Sequence, residues 1–252
     1  MSNSDDFTYV GHATVLIELD GVRLLTDPVL RPRIGPLVRH GPLPAPHLTA
    51  GLDAVLISHL HRDHADLASL RRLGRGTRLL VPPGSRRFFE RHGFSEVGEL
   101  APGESSEVGP LTVTAVEADH DGGKRRGAPA VVPVGFTIAG SRRVYFAGDT
   151  DLFDGMGDLA PKLDLALLPV WGWGPTLGPG HLDPAGAARA AALLSPRLAV
   201  PIHWGTLYPL GLGRLRPGRL LLPAHEFATE TRRLAPQVAT RVLSPGESAS
   251  LA

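Results

Sequence analysis

AVLISHLHRDH, residues 54–64, runs from an unbroken apolar segment straight into three imidazoles and a carboxylate. Residues 54–58 are short and almost wholly apolar, as a strand buried on both faces requires. In an extended chain, residues two apart point the same way, so His59 and His61 can share one metal ion. ADLASLRRL (65–73) then has helical spacing and stops at Gly74. The turn into that helix brings Asp63 and His64 round toward a second position. Imidazole and carboxylate groups suit zinc, manganese or iron. An accidental cluster with this spacing is rare, so the motif is a strong metal signal.

Four side chains do not complete two metal shells. Three further candidates stand where strand-like runs stop: His120 after LTVTAVEAD, Asp149 after VYFAG and His203 after LAVPI. Strand ends on a rigid scaffold are where chemistry is commonly presented. Taken singly, each residue is bland. A lone His at a strand end is usually an ordinary polar terminus, and an Asp before Thr is usually a turn or a cap. Their recurrence beside HLHRDH is what singles them out.

The flanking sequence supplies the scaffold. TVLIEL (14–19) and VRLLT (22–26) are strand-like, and Asp20-Gly21 between them signals a hairpin. A Pro-rich loop from Pro28 to Pro46 is long enough to line a site. RLLVP (78–82), VGFTIAG (134–140), RRVYFAG (142–148) and LDLALLPV (163–170) read as strands, and SRRFFERH (85–92) as a helix. Asp183-Pro184 caps and starts a helix that continues through AGAARAAALL. AHEFATETRRL (224–234) reads as the last helix, and RVLSPGESASL closes the chain with a turn and a strand. Helices fall between groups of strands, which suits a layered α/β or α+β single domain over residues 1–252 with no linker.

Composition narrows the chemistry. The 252 residues carry a formal net charge of +1, which offers no bulk field toward nucleic acid or an anionic membrane. There is no Cys, so disulfides and thiolate metal sites are excluded and ligands must be His or carboxylate. MSNSDDFTYV has neither a basic nor an apolar leader region, so the expected location is cytoplasmic. Apolar runs such as LALLPVWGW fall well short of the ~20 residues that span a bilayer, so no integral membrane association is expected.

HLHRDH resembles the HxHxDH signature of the metallo-β-lactamase superfamily. ADH, AGDT and PIHWGT resemble its later metal motifs, in the same order, and TVLIELDGVRLLTDP resembles its opening hairpin with an acidic first motif at Asp27. GHATVLIEL, GPGHLDP and PIHWGT are most similar to the branch containing N-acyl-phosphatidylethanolamine phospholipase D. Ascorbate-6-phosphate lactonases are a more distant likeness. The segment DGGKRRGAP after His120 departs from the phospholipase pattern. The resemblance implies an α+β fold, a four-layer αββα sandwich with a dinuclear site at one edge. It implies one metal on His59, His61 and His120, a second on Asp63, His64 and His203, and Asp149 bridging the two. Zinc is the first expectation for both ions, with manganese or iron as alternatives.

Two metals roughly 3.5–4 Å apart can hold a water between them and lower its pKa toward about 7. That chemistry fits hydrolysis of a phosphodiester or of a lactone or ester, on a small-molecule or lipid-like substrate. An iron-dependent oxidoreductase of the same fold and a nuclease are the competing readings. The nuclease is disfavoured by the charge balance, so no nucleic-acid partner is expected. Asp63 both binds metal and can orient or accept a proton. Asp27 is the candidate to hold an imidazole from outside the metal shell. His181, in GPGHLDP, is placed in the pocket by the resemblance as a substrate contact, where its imidazole is also a candidate to protonate a leaving group. Its position before a helix N-terminus suggests an anion site there. His12, in GHAT, reads equally as a pocket residue or a loop polar. Trp173 in WGWGPTLG reads as a pocket wall. Lys124, Arg125 and Arg126 read as a solvated loop rather than a substrate clamp.

Overall fold

The computed structural model describes residues 5–122, 129–159, 161–172, 178–215 and 218–251. The chain opens with an antiparallel meander of β1 (Asp6–Gly11), β2 (Thr14–Leu19) and β3 (Val22–Thr26). Asp20 and Gly21 both take positive φ, 51° and 81°, as a tight two-residue hairpin demands. The Pro-rich stretch then folds into a small hairpin, β4 (Arg33–Ile34) and β5 (Leu37–Arg39). The stretch read as a long loop thus contains a short strand pair. β6 (Ala54–Leu56), β7 (Leu79–Val81) and β8 (Val97–Glu99) follow, separated by α1 (Leu67–Leu73) and α2 (Arg86–Arg91).

The second half begins with β9 (Ser105–Val108), β10 (Leu111–Glu117), β11 (Val134–Ala139) and β12 (Arg143–Phe146). It continues through β13 (Leu165–Pro169), α3 (Pro184–Leu194) and β14 (Leu198–Ile202). β15 (Leu207–Pro209), α4 (Leu212–Leu215), α5 (Gly218–Leu234), β16 (Ala239–Thr240) and β17 (Glu247–Ser250) complete the chain. One sheet has the order β17-β1-β2-β3-β6-β7-β8 and the other β16-β14-β13-β12-β11-β10-β9. β15 joins β5 and β4 in a third, small sheet.

Strand parity explains the layering. Phe7, Tyr9, Val15 and Ile17 share one face of the first sheet and lie in one buried cluster with Phe136 and Phe146, which share one face of the second. Leu16, Leu25, Val55 and Ile57 point the opposite way, into a second cluster with Leu70 of α1 and Phe88 and Phe89 of α2. Ala187, Ala190 and Ala191 of α3 and Ala224 and Phe227 of α5 join the large cluster on the second sheet's side. The result is an αββα sandwich. Both faces of its inner strands are covered, which is why AVLIS and LALLP carry no polar alternation.

α5 departs from the sequence expectation by starting at Gly218 rather than Ala224, with Pro223 inside it. A proline there forfeits a backbone bond and normally ends a helix. Leu220, Ala224 and Phe227 are nevertheless buried along one face, and that packing outweighs the break. Among the described residues, no helix is long and apolar enough to cross a membrane.

Candidate metal centre

The sandwich delivers its chemistry to one edge. Beyond β6, Ser58 donates its backbone N–H to Asp27 Oδ1 (2.8 Å), which fixes the direction in which His59 leaves the strand. The backbone N–H groups of His64 and Ala65 return to the His61 carbonyl at 3.1 and 2.8 Å. This turn swings Asp63 and His64 under His59 before Asp66 caps α1 by accepting from the Ser69 N–H. Gly148, at φ 63°, lets the chain after β12 press against Ser58, since a Cβ there would lie 2.6 Å from Ser58 Cβ. Asp149 is thereby laid over the imidazoles. His120 follows β10, and His203 follows β14 with φ 62°.

Besides the trio of Asp27, His59 and His64, two larger groups of ligand atoms result. His59, His61, His120 and Asp149 form one, and His12, Asp63, His64 and His203 the other; within each, the atoms lie within 4.8 Å of one another. In the first, His61 Nδ1 is 2.9 Å from His59 Nε2 and 3.1 Å from His120 Nε2. In the second, His64 Nε2 is 3.0 Å from His203 Nε2. Asp149 reaches both: Oδ2 is 3.9 Å from His59 Nε2 and 3.2 Å from His64 Nε2, and Oδ1 is 3.4 Å from His203 Nε2.

The outer ring nitrogens decide which way the lone pairs face. His120 Nδ1 donates to the Gly180 carbonyl at 2.8 Å, and His203 Nδ1 donates to the Trp171 carbonyl. Ser58 Oγ gives its proton to Asp27 Oδ2, so it can only accept from His59 Nδ1 (2.9 Å). Neutral His59, His120 and His203 therefore all turn bare nitrogens inward. His61 Nε2 faces the Asp121 carboxylate at 3.4 Å, and His64 Nδ1 donates to Asp27 Oδ2 at 2.7 Å. Inward lone pairs this close repel one another and call for a cation between them. Asp149 Oδ1, buried and accepting no hydrogen bond among the described residues, calls for the same. The donor set fits divalent metal ions.

Ser58, Asp121 and the carbonyls of Trp171 and Gly180 are contributors that the motif reading passed over. Ser58 and Asp121 each adjoin a candidate ligand in sequence, which is the signal that could have found them. Asp27, expected outside the metal shell, is fully buried and holds both Ser58 and His64. His181 stands at the open side with Nε2 3.7 Å from Asp149 Oδ2. The expected anion site at the start of α3 is not free, because the Asp183 carboxylate itself accepts from the Gly186 N–H. His12, expected as a pocket or loop residue, is 1% exposed and bonded to Asp63 instead of lining an open surface. Trp173, Lys124, Arg125 and Arg126 lie outside the described residues.

A family model for the beta-lactamase superfamily domain matches residues 22–204, a span that contains the whole cluster except His12. The chain belongs to the metallo-β-lactamase superfamily. Within the superfamily it is 34% identical to a UPF0173 metal-dependent hydrolase of Opitutus terrae, over 96% of this chain and 97% of that one. It is 32% identical to N-acyl-phosphatidylethanolamine-hydrolyzing phospholipase D 1 of Caenorhabditis elegans, over 81% of this chain and 64% of the relative. The first curated relatives it matches are longer, and it spans 58% of their length. A metallo hydrolase from Ignicoccus hospitalis superposes with a TM-score of 0.71, at 26% identity and 97% coverage of both chains.

The electrostatics of this superfamily centre make a pH prediction. Burial holds His12, His59, His61, His120 and His203 below the usual histidine range, His203 down to about 3. Burial alone would lower His64 too, but the Asp149 and Asp27 carboxylates beside it outweigh that and hold it well above. In the unfolded chain each His titrates near about 6.5. Below that pH the unfolded state gains protons that the five depressed imidazoles refuse, so their contribution to stability is lost as pH falls toward their folded values. His64 has the opposite sign, its contribution being lost as pH rises through its raised value, but it is one group against five. Metal-free protein is therefore expected to lose stability between about pH 6.5 and 4.5. Urea unfolding across that range checks it, and a flat profile contradicts neutral buried imidazoles.

Proposed function

We propose that the chain is a metal-dependent hydrolase holding two divalent ions. His59, His61 and His120 hold one, Asp63, His64 and His203 hold the other, and Asp149 is shared. The observation that supports this most is the outward anchoring of the imidazoles, which aims bare nitrogens into two adjoining clusters. Zinc fits this all-nitrogen and carboxylate set best. The relatives' names point to hydrolysis, and the substrate class we assign is a phosphodiester or a lactone or ester.

When bound, such ions supply a water of lowered pKa and a Lewis acid for the reacting oxygen. The protein's own residues supply geometry and proton handling. Asp27 and Ser58 lock His59 and His64 in place through a chain of buried hydrogen bonds. Asp63, fixed at Oδ2, keeps its second oxygen to orient or accept a proton. His181 is 26% exposed at its side chain, and Nδ1 faces the carbonyls of Gly178 and Pro179 at 3.2 Å. That leaves Nε2 facing the centre, where the doubly protonated ring can donate a proton to a leaving oxygen. Substrate enters where His61, Asp121 and His181 are accessible, because His59, His64 and His203 are closed to solvent.

The test is metal analysis of gently purified protein, followed by a panel of phosphodiester, lactone and thioester substrates. About two ions per chain and hydrolysis restored by reloading are expected. Folded, reloaded protein holding less than one ion would sink the two-ion reading.

A further inference from the structure

His12 is placed with unusual determinacy for a residue in a β-turn. It sits between β1 and β2 with φ 60°, a left-handed conformation that a non-glycine residue adopts at a cost. Gly11 before it is at φ 123°, and a Cβ there would lie 2.7 Å from Thr206 Oγ1. The His12 N–H donates to Thr206 Oγ1 at 2.9 Å, and its carbonyl accepts from the His203 N–H at 2.8 Å. Its ring packs on the His203 ring with centroids 3.8 Å apart. Nε2 then meets Asp63 Oδ2 at 3.0 Å. Strain persists where the surroundings over-determine it, and here every constraint directs one nitrogen at one carboxylate oxygen.

We propose that His12 is a positioning residue that donates to Asp63 Oδ2 and so holds that oxygen at the second metal position, 3.9 Å from His64 Nε2 and 3.8 Å from His203 Nε2. Through its carbonyl it also fixes the backbone of His203, so one residue from the N-terminal turn sets two of the three groups assigned to that position. An ionised carboxylate left free could swing to chelate or withdraw, whereas a buried donor on one oxygen restricts it to a single presentation. The proposal rests on the two-ion reading above.

Cobalt(II) titration of metal-free protein, followed by visible absorption, separates the alternatives, because band intensity reports coordination number. His12→Asn tolerates the left-handed backbone but is too short to reach Asp63. His12→Gln places an amide N–H near the position of Nε2. Expected is a roughly 10–100-fold weaker second cobalt site in the Asn variant, with the first site unchanged. The Gln variant is expected to recover the affinity with a wild-type spectrum. An Asn variant that binds the second cobalt as tightly as wild type overturns the proposal, since His12 is then only packing. A Gln variant that does not recover, or that shows altered coordination, overturns it by making His12 a ligand. If the Asn variant does not fold, His12→Leu, which fills the site but cannot donate, replaces it: a weakened second site supports the proposal and wild-type affinity overturns it. Wild-type protein that takes up a single cobalt sinks the two-ion reading and this proposal with it.

Discussion

Asp149→Ala is expected to lose metal and turnover together, by more than the roughly 10–100-fold that removing an outer-shell partner costs. Its carboxylate spans the two clusters, with Oδ2 toward His59 and His64 and Oδ1 toward His203. Two divalent charges about 4 Å apart repel by on the order of 15–20 kcal/mol at an effective dielectric of about 20. Neutral imidazoles do not offset that repulsion, and an anion between the charges does. The same substitution removes one of the two carboxylates that hold His64 well above the ordinary histidine range. In metal-free protein the His64 imidazole should therefore titrate lower in the variant, which NMR can follow without any substrate. Elemental analysis reads the metal content and a steady-state assay the turnover. A variant with full metal content and near-normal turnover would make Asp149 a turn residue.

The scaffold was legible because burial writes itself into strand composition. AVLIS, LALLP and LAVPI lack polar alternation, and each lies inside the sandwich with both faces covered. His59, His120, Asp149 and His203 were legible because each stands one to three residues past a strand end, where the chain must leave the sheet, and His61, Asp63 and His64 because they continue the motif that His59 begins. What the sequence hides is conformational. His12, Asp27 and His203 all take positive φ, and although Asp and His enter that region more often than most residues, residue type does not say which of them do. His12 thus reads equally as a pocket residue or a loop polar, while its partner is 51 positions away. Partners that are backbone carbonyls, such as those of Trp171 and Gly180, are equally silent, because every residue carries one. The start of α5 was missed because Pro223 outweighs its neighbours in a local reading, whereas the buried face of Leu220, Ala224 and Phe227 is a tertiary fact.

His181→Ala should keep both metals and the fold while lowering turnover by roughly 10²–10⁴-fold, the usual contribution of a positioned acid. The sequence offered a helix N-terminus as the anion-binding partner of His181, and Asp183 removes that argument by capping the helix with its own carboxylate. The imidazole itself remains well placed. Its ring lies edge-on to His120 at 4.7 Å, and Nε2 is 3.7 Å from Asp149 Oδ2. Unlike His59, His64 and His203, it is reachable from solvent. Outside the core, its removal should change the melting temperature little, since surface substitutions usually cost under about 0.5 kcal/mol. A donor that acts only in the transition state lowers kcat and kcat/KM equally, and one that merely holds substrate raises KM. His181→Ala is therefore expected to lower kcat with KM nearly unchanged. An activated substrate, whose leaving group needs no proton, should recover most of the lost rate. Loss of metal from the variant would make His181 a ligand. Full metal with full activity would leave it nothing but its contacts to the Gly178 and Pro179 carbonyls.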